Sequence, residues 1–250
     1  MAHRLESSNN SIELFRVRSP FVAIQLVRTA ITLSQSVNDK GLHSEETMCG
    51  RFILLTDLSV IVESFHIGEV AAEYKPGGNI SPGQQISAII RDQDINKLVD
   101  FRWGLIPSWA KDPSIGNKMF NARAETIAEK PSFREAFKRR RCLVIADGFY
   151  EWQKMEKGEK PFHFSLRSAG PFGFAGLYET WMSPENKLVK TCTIITTDAN
   201  DLLKPIHDRM PVIVPKDKEA LWIDPGARDP KELAAILKPY PAEEMKMAEG

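Results

Sequence analysis

The stretch CLVIADGFYEW, residues 142–152, joins an apolar run to an aromatic segment that carries two acidic residues. Short runs rich in β-branched and aromatic residues are typical of buried strands. Strands that follow strands, without regular alternation with helices, favour an α+β fold: a mainly antiparallel sheet that curls into a barrel, with a few peripheral helices. Six similar runs carry this prediction: QQISAII from residue 84, KLVDFRWGL from 97, PFHFSLR from 161, PFGFAGLYE from 171, KTCTIITT from 190 and RMPVIVP from 209.

Helical patterns are fewer than strand patterns. Thr56 or Asp57 is a suitable N-cap for a first helix, whose apolar positions between Leu58 and Phe65 fall on one face and which we expect to end near Gly68. The segment KMEKGEK, between two strand-like runs, predicts a hairpin loop. Three further helices are predicted over residues 132–138, 216–221 and 231–237.

The chain changes character at residue 48. Residues 1–47 place polar stretches around one apolar patch and show no sustained period, so we expect a disordered extension or upstream sequence included through a wrong start codon. A targeting peptide is the alternative, because basic residues outnumber acidic ones among the first 28 residues, but a continuous apolar region is missing. Residues 48–240 are interpreted as a single domain and 241–250 as a frayed tail.

Composition excludes several classes of protein. Of 250 residues, 42% are hydrophobic and 26% charged, and 33 Lys and Arg balance 33 Asp and Glu. Such a chain has no overall attraction for nucleic acid or membrane, so any anion binding requires a local patch. The run FVAIQLVRTAITL is interrupted by Arg28 and is shorter than the roughly 20 residues of a membrane span. We expect a cytoplasmic protein without a membrane anchor.

The three cysteines have different sequence surroundings. They form no CxxC pair, which argues against a disulfide framework and a zinc site, and no metal or other cofactor is expected. Cys142 and Cys192 lie in apolar runs and are interpreted as small buried hydrophobes. Cys49 is followed by Gly50 and Arg51, a flexible and positively charged setting that favours the thiolate.

Four motifs concentrate reactive residue types: MCGRF at 48, NARAET at 121, DGFYEW at 147 and IHDRMP at 206. They supply the thiol of Cys49, the amide of Asn121, the carboxyl of Glu151 and the imidazole of His207, which together suit a catalytic site. Glu151 is either exposed on a polar face or desolvated, as a general acid requires. His207 fits a structural role as well as a catalytic one.

Arginines and a tryptophan accompany these motifs. Arg51, Arg123 and Arg209 each stand beside a reactive residue and suggest an anionic ligand such as phosphate. A glycine and a proline separate the tryptophans of WGLIPSWA, so we expect Trp109 in a loop, where it can stack on an unpaired base. The basic run KRRR at 138–141 is interpreted first as complementing a helix C-terminus and second as contacting phosphate.

The order of these motifs resembles that of a known family, the SOS-response-associated peptidases, also described as abasic-site processing proteins. The resemblance extends from residue 48 to about residue 222, and residues 1–47 have no counterpart in it. The motifs that carry it are MCGRF, NISPGQ, WGLIPSW, NARAET, RCLVIADGFYEW, FAGLYE, TIITTDAN and IHDRMP.

The resemblance implies a mechanism and a partner. The methionine is removed, and Cys49, then the first residue, reacts with the aldehyde of an abasic site in single-stranded DNA to form a stable covalent cross-link. Asn121 and Glu151 position and protonate the sugar, and His207 acts as acid or base. The implied partner is single-stranded DNA containing abasic sites, bound by a monomer that joins the nucleoid during the DNA-damage (SOS) response. The DNA would be held by Arg51, Asn79, Pro82, Trp109, Arg123 and Arg209.

Two alternatives remain open at this point. The first is a thiol autopeptidase, a hydrolase in which Cys49 attacks the preceding peptide bond with His207 as base. The second is a non-catalytic module that only binds single-stranded DNA, which would leave Cys49 and Glu151 without a role.

Overall fold

A computed structural model describes residues 50–227 and 229–250. The predictions for residues 1–47, and the position of Cys49, lie outside this described part. Within it, the α-helices are α1 (Leu58–Ser64), α2 (Arg134–Arg139), α3 (Glu219–Ile223) and α4 (Pro230–Ile236). The strands are β1 (Arg51–Leu54), β2 (Ile67–Val70), β3 (Gly77–Ile80), β4 (Gln85–Asp92), β5 (Ile95–Trp103), β6 (Asn121–Arg123), β7 (Arg141–Ala146), β8 (Gly148–Lys154), β9 (Glu159–Leu166), β10 (Phe172–Met182), β11 (Leu188–Asp198), β12 (Arg209–Pro211) and β13 (Met245–Glu249).

Five strands close into a barrel. Antiparallel pairs join them in the order β11, β10, β7, β4 and β5, and a short parallel pairing of β5 with β11, where Trp103 lies opposite Cys192, completes the ring. Strand β2 adds to β5, and β6 and β12 add to β11. The predicted α+β fold with a barrel-like sheet is therefore confirmed.

A second, antiparallel sheet packs against this barrel. Its order is β13, β9, β8, β1 and β3. Aromatic rings join the two sheets: the Phe52 ring of β1 lies 5.3 Å from that of Trp103 and 6.0 Å from that of Phe174, and Phe149 of β8 lies 5.9 Å from Phe174. These side chains are buried, so β1 and β8 are held firmly over the barrel wall.

The stretch CLVIADGFYEW, residues 142–152, reads as one long strand in the sequence and forms parts of two strands, β7 and β8. Between them, the Asp147 carboxylate accepts hydrogen bonds from the backbone N–H groups of Leu55 and Thr56 at 2.5 and 2.8 Å. These bonds fix the point at which the chain leaves the barrel for the second sheet. Gly148 follows, where a Cβ would lie 2.8 Å from the carbonyl oxygen of Phe164 and 2.2 Å from Nε2 of His163, so a larger residue would force both neighbours to shift.

Two boundaries differ from the sequence predictions. The first helix ends at Ser64, not near Gly68, because His66 adopts a left-handed conformation (φ 50°) and Ile67–Val70 pairs with β5. The tail at 241–250, expected to fray, instead supplies β13, which pairs with β9. The Met245 side chain is fully buried, and its burial anchors this strand. The predicted hairpin loop is present: β8 and β9 pair on either side of it, with Gly158 at φ 79°.

Cys142 and Cys192 have no exposed surface, which confirms their interpretation as buried hydrophobes. Burial raises the pKa of both thiols above the ordinary range. Neither is therefore a ready thiolate. No helix of the described residues is both long and apolar enough to cross a membrane.

The basic run at 138–141 belongs to the structure of the fold. Helix α2 ends inside it, and Arg141, 2% exposed, donates to the carbonyls of Phe137 and Lys138 at 2.7 and 2.8 Å. Arg140 pairs with Glu179 at 2.8 Å. The interpretation as a helix C-terminus is confirmed, since cationic groups here complete orphan carbonyls.

Candidate active site at the junction of the two sheets

Glu151 is the buried carboxyl of the candidate site, with 1% of its surface exposed. Because side chains alternate along a strand, Phe149, Glu151 and Gln153 share one face of β8. That face is turned toward the barrel: Phe149 packs on Phe174, and Gln153 Nε2 donates to the carbonyl of Pro205 at 3.0 Å. Of the two alternatives for Glu151, the structure selects the buried one.

The start of β1 lies beside this carboxyl. Arg51 pairs with Tyr150 and Phe52 with Phe149, so one more step of the same antiparallel register sets Gly50 opposite Glu151. The residue joined to Gly50 is Cys49, which lies outside the described residues.

Asn121 is positioned by strands of the barrel. It begins β6 and lies opposite Ile194 of β11. The preceding carbonyl, that of Phe120, accepts hydrogen bonds from Trp103 Nε1 at 2.8 Å and from the backbone N–H of Ile194 at 3.0 Å. Ile194 in turn lines a small cavity with Arg51. The buried indole thus fixes the backbone that carries the amide of Asn121.

His207 sits in the loop between β11 and β12, and 17% of its side chain is exposed. Its Nδ1 accepts a hydrogen bond from the backbone N–H of Arg209 at 3.0 Å. In the neutral ring this leaves the proton on Nε2. The Asp208 carboxylate, whose side chain is exposed, lies 3.2 Å from Nδ1.

Arg209 holds this loop through ion pairs in which its own side chain is buried and those of Glu125 and Asp198 are exposed. It is 8% exposed and binds both carboxylate oxygens of Glu125, at 2.9 and 3.0 Å, and Asp198 at 2.6 Å. Burial alone would lower the pKa of Arg209, but pairing with these carboxylates raises it above the ordinary value. The sequence predicts that Arg209 contacts DNA. The structure gives its guanidinium protein partners on two segments, at Glu125 and at the end of β11. A contact with DNA stays a prediction.

Arg51 and Asn79 lie together on the outer face of the second sheet. Both are exposed, and Arg51 Nη1 donates to Asn79 Oδ1 at 3.3 Å. The Arg51 guanidinium also lies 5.4 Å from the ring centre of Trp152. Sequence reasoning did not place Trp152 in the site. The alternation within DGFYEW was the available signal, because it puts Trp152 on the face opposite Glu151.

Three predicted DNA contacts remain: Pro82, Trp109 and Arg123. Pro82 precedes Gly83, which has φ 90°, in the turn between β3 and β4. The Trp109 indole is 59% exposed in the loop after β5, which confirms its predicted loop position. Arg123 ends β6 and is exposed. These side chains offer positive charge and an aromatic surface to a ligand.

Among the described residues, no three His, Cys, Asp or Glu side chains are grouped so that they could hold a metal ion. Glu151, Asn121 and His207 supply a buried carboxyl, an amide and an imidazole. This set can transfer protons and hold a polar substrate.

Comparisons with known proteins agree on one family. The family model described as SOS response associated peptidase (SRAP) matches residues 48–249. The chain is 48% identical over 202 residues to the abasic site processing protein YoqW of Bacillus subtilis (strain 168), covering 80% of this chain and 90% of that one. It is 30% identical to the abasic site processing protein HMCES of Xenopus tropicalis, covering 67% of this chain and 59% of that one.

Solved structures share the fold. A crystal structure of a protein from Bordetella bronchiseptica matches with a TM-score of 0.71 and 25% identity, covering 81% of this chain and 99% of that one. A crystal structure of a protein from Bacteroides thetaiotaomicron matches with a TM-score of 0.65 and 31% identity, covering 68% and 76% of the two chains.

Proposed function

Because this chain belongs to the SOS response associated peptidase (SRAP) family, we propose that it processes abasic sites in single-stranded DNA through a covalent bond to Cys49. Its curated relatives from Bacillus subtilis and Xenopus tropicalis are named abasic site processing proteins. The observation that carries the proposal is the strand register: Arg51 pairs with Tyr150, and one more step of that register would set Gly50 opposite the buried carboxyl of Glu151. A reactive group on the residue before Gly50 would therefore work next to a proton donor.

The chemistry requires Cys49 to be the first residue. A free α-amine has a pKa of about 7.7 to 8.0 and a thiol about 8.5, so both are partly nucleophilic near neutrality. The amine condenses with the sugar aldehyde, which forms a C=N bond and releases water. The thiol then adds to that carbon, and its proton passes to nitrogen. The product is a five-membered thiazolidine ring, which only a terminal cysteine can form.

The surrounding groups suit the steps before that bond. An abasic deoxyribose rests mostly as a closed hemiacetal, and opening its ring needs proton transfer to the ring oxygen. In this proposal Glu151 supplies that proton, Asn121 donates a hydrogen bond to a sugar oxygen, and His207 moves protons through Nε2. The neutral amide adds no charge to the site.

DNA binding is assigned to five side chains that are exposed or, in the case of Pro82, half-buried. Arg51 and Arg123 offer charge to phosphates, while Asn79, Pro82 and Trp109 offer polar and stacking contacts. Arg209 contributes by holding the loop of His207 through Glu125 and Asp198. A strand with unpaired bases fits this arrangement better than a duplex, because stacking needs exposed base faces.

A second candidate is autoproteolysis before Cys49, which the peptidase in the family's description favours. A free amine at residue 49 requires that the bond from Met48 be broken. In this reaction the Cys49 thiol attacks the Met48 carbonyl, the acyl group moves from nitrogen to sulfur, and water hydrolyses the thioester. Autoproteolysis and cross-linking are compatible, because cleavage before Cys49 would produce the free amine that cross-linking requires.

The decisive experiment incubates the protein with a single-stranded oligonucleotide that carries one abasic site, followed by a denaturing gel. We expect a shifted band for the wild type and for Cys142→Ala, and none for Cys49→Ala. Equal loss in both variants would refute the assignment of Cys49. Intact mass then tests autoproteolysis, because Cys49→Ala should retain the residues before position 49. Loss of those residues from this variant at the wild-type rate would exclude the autopeptidase.

A further inference from the structure

Arg102 lies at the end of β5, outside the set of residues that sequence motifs single out. It pairs in register with Gln85 of β4 and with Thr191 of β11. Trp103, the next residue, is buried against Phe52 of the second sheet, so alternation turns Arg102 toward the opposite face of the barrel wall. Its side chain is half-buried there.

The guanidinium of Arg102 is fixed in place by a hydrogen bond, but no acidic side chain among the residues that the structure describes neutralises its charge. Its Nη2 donates to Oδ1 of Asn117 at 2.9 Å, and an amide oxygen carries no net charge. No carboxylate of the described residues lies within 4.0 Å of it, whereas Arg140 and Arg209 are both paired with acids. A fixed guanidinium without a counter-charge is suited to an anion from outside the protein, because its remaining N–H groups keep their fork geometry.

The backbone around this guanidinium is made of glycines. A Cβ at Gly104 would lie 2.5 Å from the carbonyl oxygen of Gly116, so the two segments approach as only glycines can. A Cβ at Gly116 would lie 3.1 Å from Nη1 of Arg102, and one at Gly83 4.0 Å from Nη2. At these three positions the chain provides no side chain that could cover the cation.

The neighbours of Arg102 are the segments to which DNA contacts are assigned above. Gly83 follows Pro82 in the turn between β3 and β4, and its N–H donates to the carbonyl of Trp103 at 2.7 Å. Gly104 begins the loop that carries the exposed indole of Trp109. Arg102 therefore stands between two elements of the proposed DNA-binding surface.

We propose that Arg102 binds a phosphodiester group of the DNA strand, in a subsite formed with Asn117 and the Gly83 turn. The inference rests on the proposed function and deepens it, since it extends the strand's path from Pro82 to the Trp109 loop. An arginine fork binds two phosphate oxygens at once, and Asn117 fixes the direction of that fork. The contact positions the strand and reads no base.

Arg91 provides a matched control. It is half-buried like Arg102, lies in the same β4–β5 hairpin, and donates to an asparagine, Asn96, at 2.8 Å. It too has no carboxylate within 4.0 Å in the described part of the chain. Arg91 sits at the other end of the hairpin from Arg102. Six residues of extended strand separate the two positions, a distance of about 20 Å.

The test measures binding of an intact single-stranded oligonucleotide, without an abasic site, by fluorescence anisotropy between about 50 and about 200 mM salt. Arg102→Ala should weaken binding and reduce the slope of log K against log salt by about 0.7, the value for one phosphate contact with a single strand. Arg91→Ala should change neither quantity. Arg102→Lys should keep the slope and bind with intermediate affinity, because it keeps the charge and loses the fork.

Two results would overturn the inference. One is an Arg102→Ala variant whose binding and salt slope match those of Arg91→Ala. The other is weakened binding by Arg102→Ala with an unchanged salt slope, which indicates a structural role for Arg102. Thermal unfolding of Arg102→Ala and Arg91→Ala identifies such a role. The proposed function fails separately: a wild type that never cross-links to abasic DNA would refute the covalent chemistry, while a reduced slope in Arg102→Ala would still support the phosphate subsite.

Discussion

The arginines at the end of α2 and those at the edge of the candidate site differ in what their guanidinium groups contact. Arg141 is buried and directs five hydrogen bonds to backbone carbonyls. Arg51 and Arg123 are exposed, and Arg51 donates to an amide oxygen. The dense basic run at 138–141 therefore serves the fold, whereas Arg51 and Arg123, which stand beside reactive motifs, are open to anions. Arg209 stands beside another such motif and is paired with Glu125 and Asp198. Charge density in a sequence does not identify a binding surface.

The physical reason lies in desolvation. A buried cation is tolerated only where acceptors replace water, and Arg141 meets this condition with carbonyls from three segments. An exposed cation keeps its hydration and can exchange it for a phosphate at little cost. The predictions below test this division, from the largest expected effect to the smallest.

The largest effect is expected for Arg141→Ala. The substitution removes the donor that satisfies five carbonyl interactions and leaves a cavity, so the free energy of unfolding should fall by about 3 to 5 kcal/mol. Chemical denaturation measures it. Arg139→Ala, at an exposed position of the same helix end, is the control and should change stability by less than about 0.5 kcal/mol. Similar values for both variants would contradict the assigned role of Arg141.

An intermediate effect is expected for Arg209→Lys. Lysine keeps the charge but cannot bind both oxygens of Glu125, so stability should fall by about 1 to 3 kcal/mol. The cross-linking rate at saturating DNA should fall by up to about 100-fold, because the loop carrying His207 loses its anchor. Single-turnover gels measure this rate. A variant with weaker DNA binding but an unchanged saturated rate would show that Arg209 binds DNA and does not position the loop.

Stability should barely change in Arg51→Ala and Arg123→Ala, by less than about 0.5 kcal/mol, while DNA binding weakens. Each variant should lose about 0.7 in the slope of log K against log salt, since each removes one phosphate contact. Anisotropy titrations measure it, with Arg139→Ala as a basic-surface control that should bind like the wild type. The comparison between the two regions breaks down if Arg139→Ala loses as much affinity as Arg51→Ala.

The smallest effect concerns His163, whose Nε2 is buried and has no hydrogen-bond partner within the described residues. Burial, and to a lesser extent the charge of Lys246, lowers the pKa of His163 below its ordinary value. The unfolded chain then binds the proton more readily, so the free energy of unfolding should decrease as pH falls below about 6.5. Denaturation at several pH values should show this slope in the wild type and a shallower one in His163→Gln. An identical slope in both would exclude His163 as its source.

Local patterns in the sequence are enough to predict most of the barrel. The apolar runs at 84, 97, 142, 161, 171, 190 and 209 all contain strands, because alternation and β-branched content are local properties. Strand β13 was missed because its pairing with β9 depends on a contact across some 80 residues of chain, which no short window records. The break at Asp147 has the same origin, since its hydrogen bonds reach back to Leu55 and Thr56.

The candidate site was predictable in residue type more than in arrangement. Motifs identified Glu151, but its two alternatives could be separated only by the packing of β8 on the barrel. The sequence also gave no means of distinguishing Arg209, held by Glu125, from the exposed Arg51. Burial and partners depend on which strands become neighbours. Such information arises from the register of the sheets.

The central claim is that Cys49 reacts only as the first residue of the chain. The most direct measurement compares two preparations whose N-termini are established by intact mass: one that begins at Cys49 and one that retains Met48. Both are incubated with single-stranded DNA bearing an abasic site and resolved on a denaturing gel. We predict a cross-linked band from the chain that begins at Cys49 and none from the other. Equal cross-linking by both would contradict the thiazolidine mechanism.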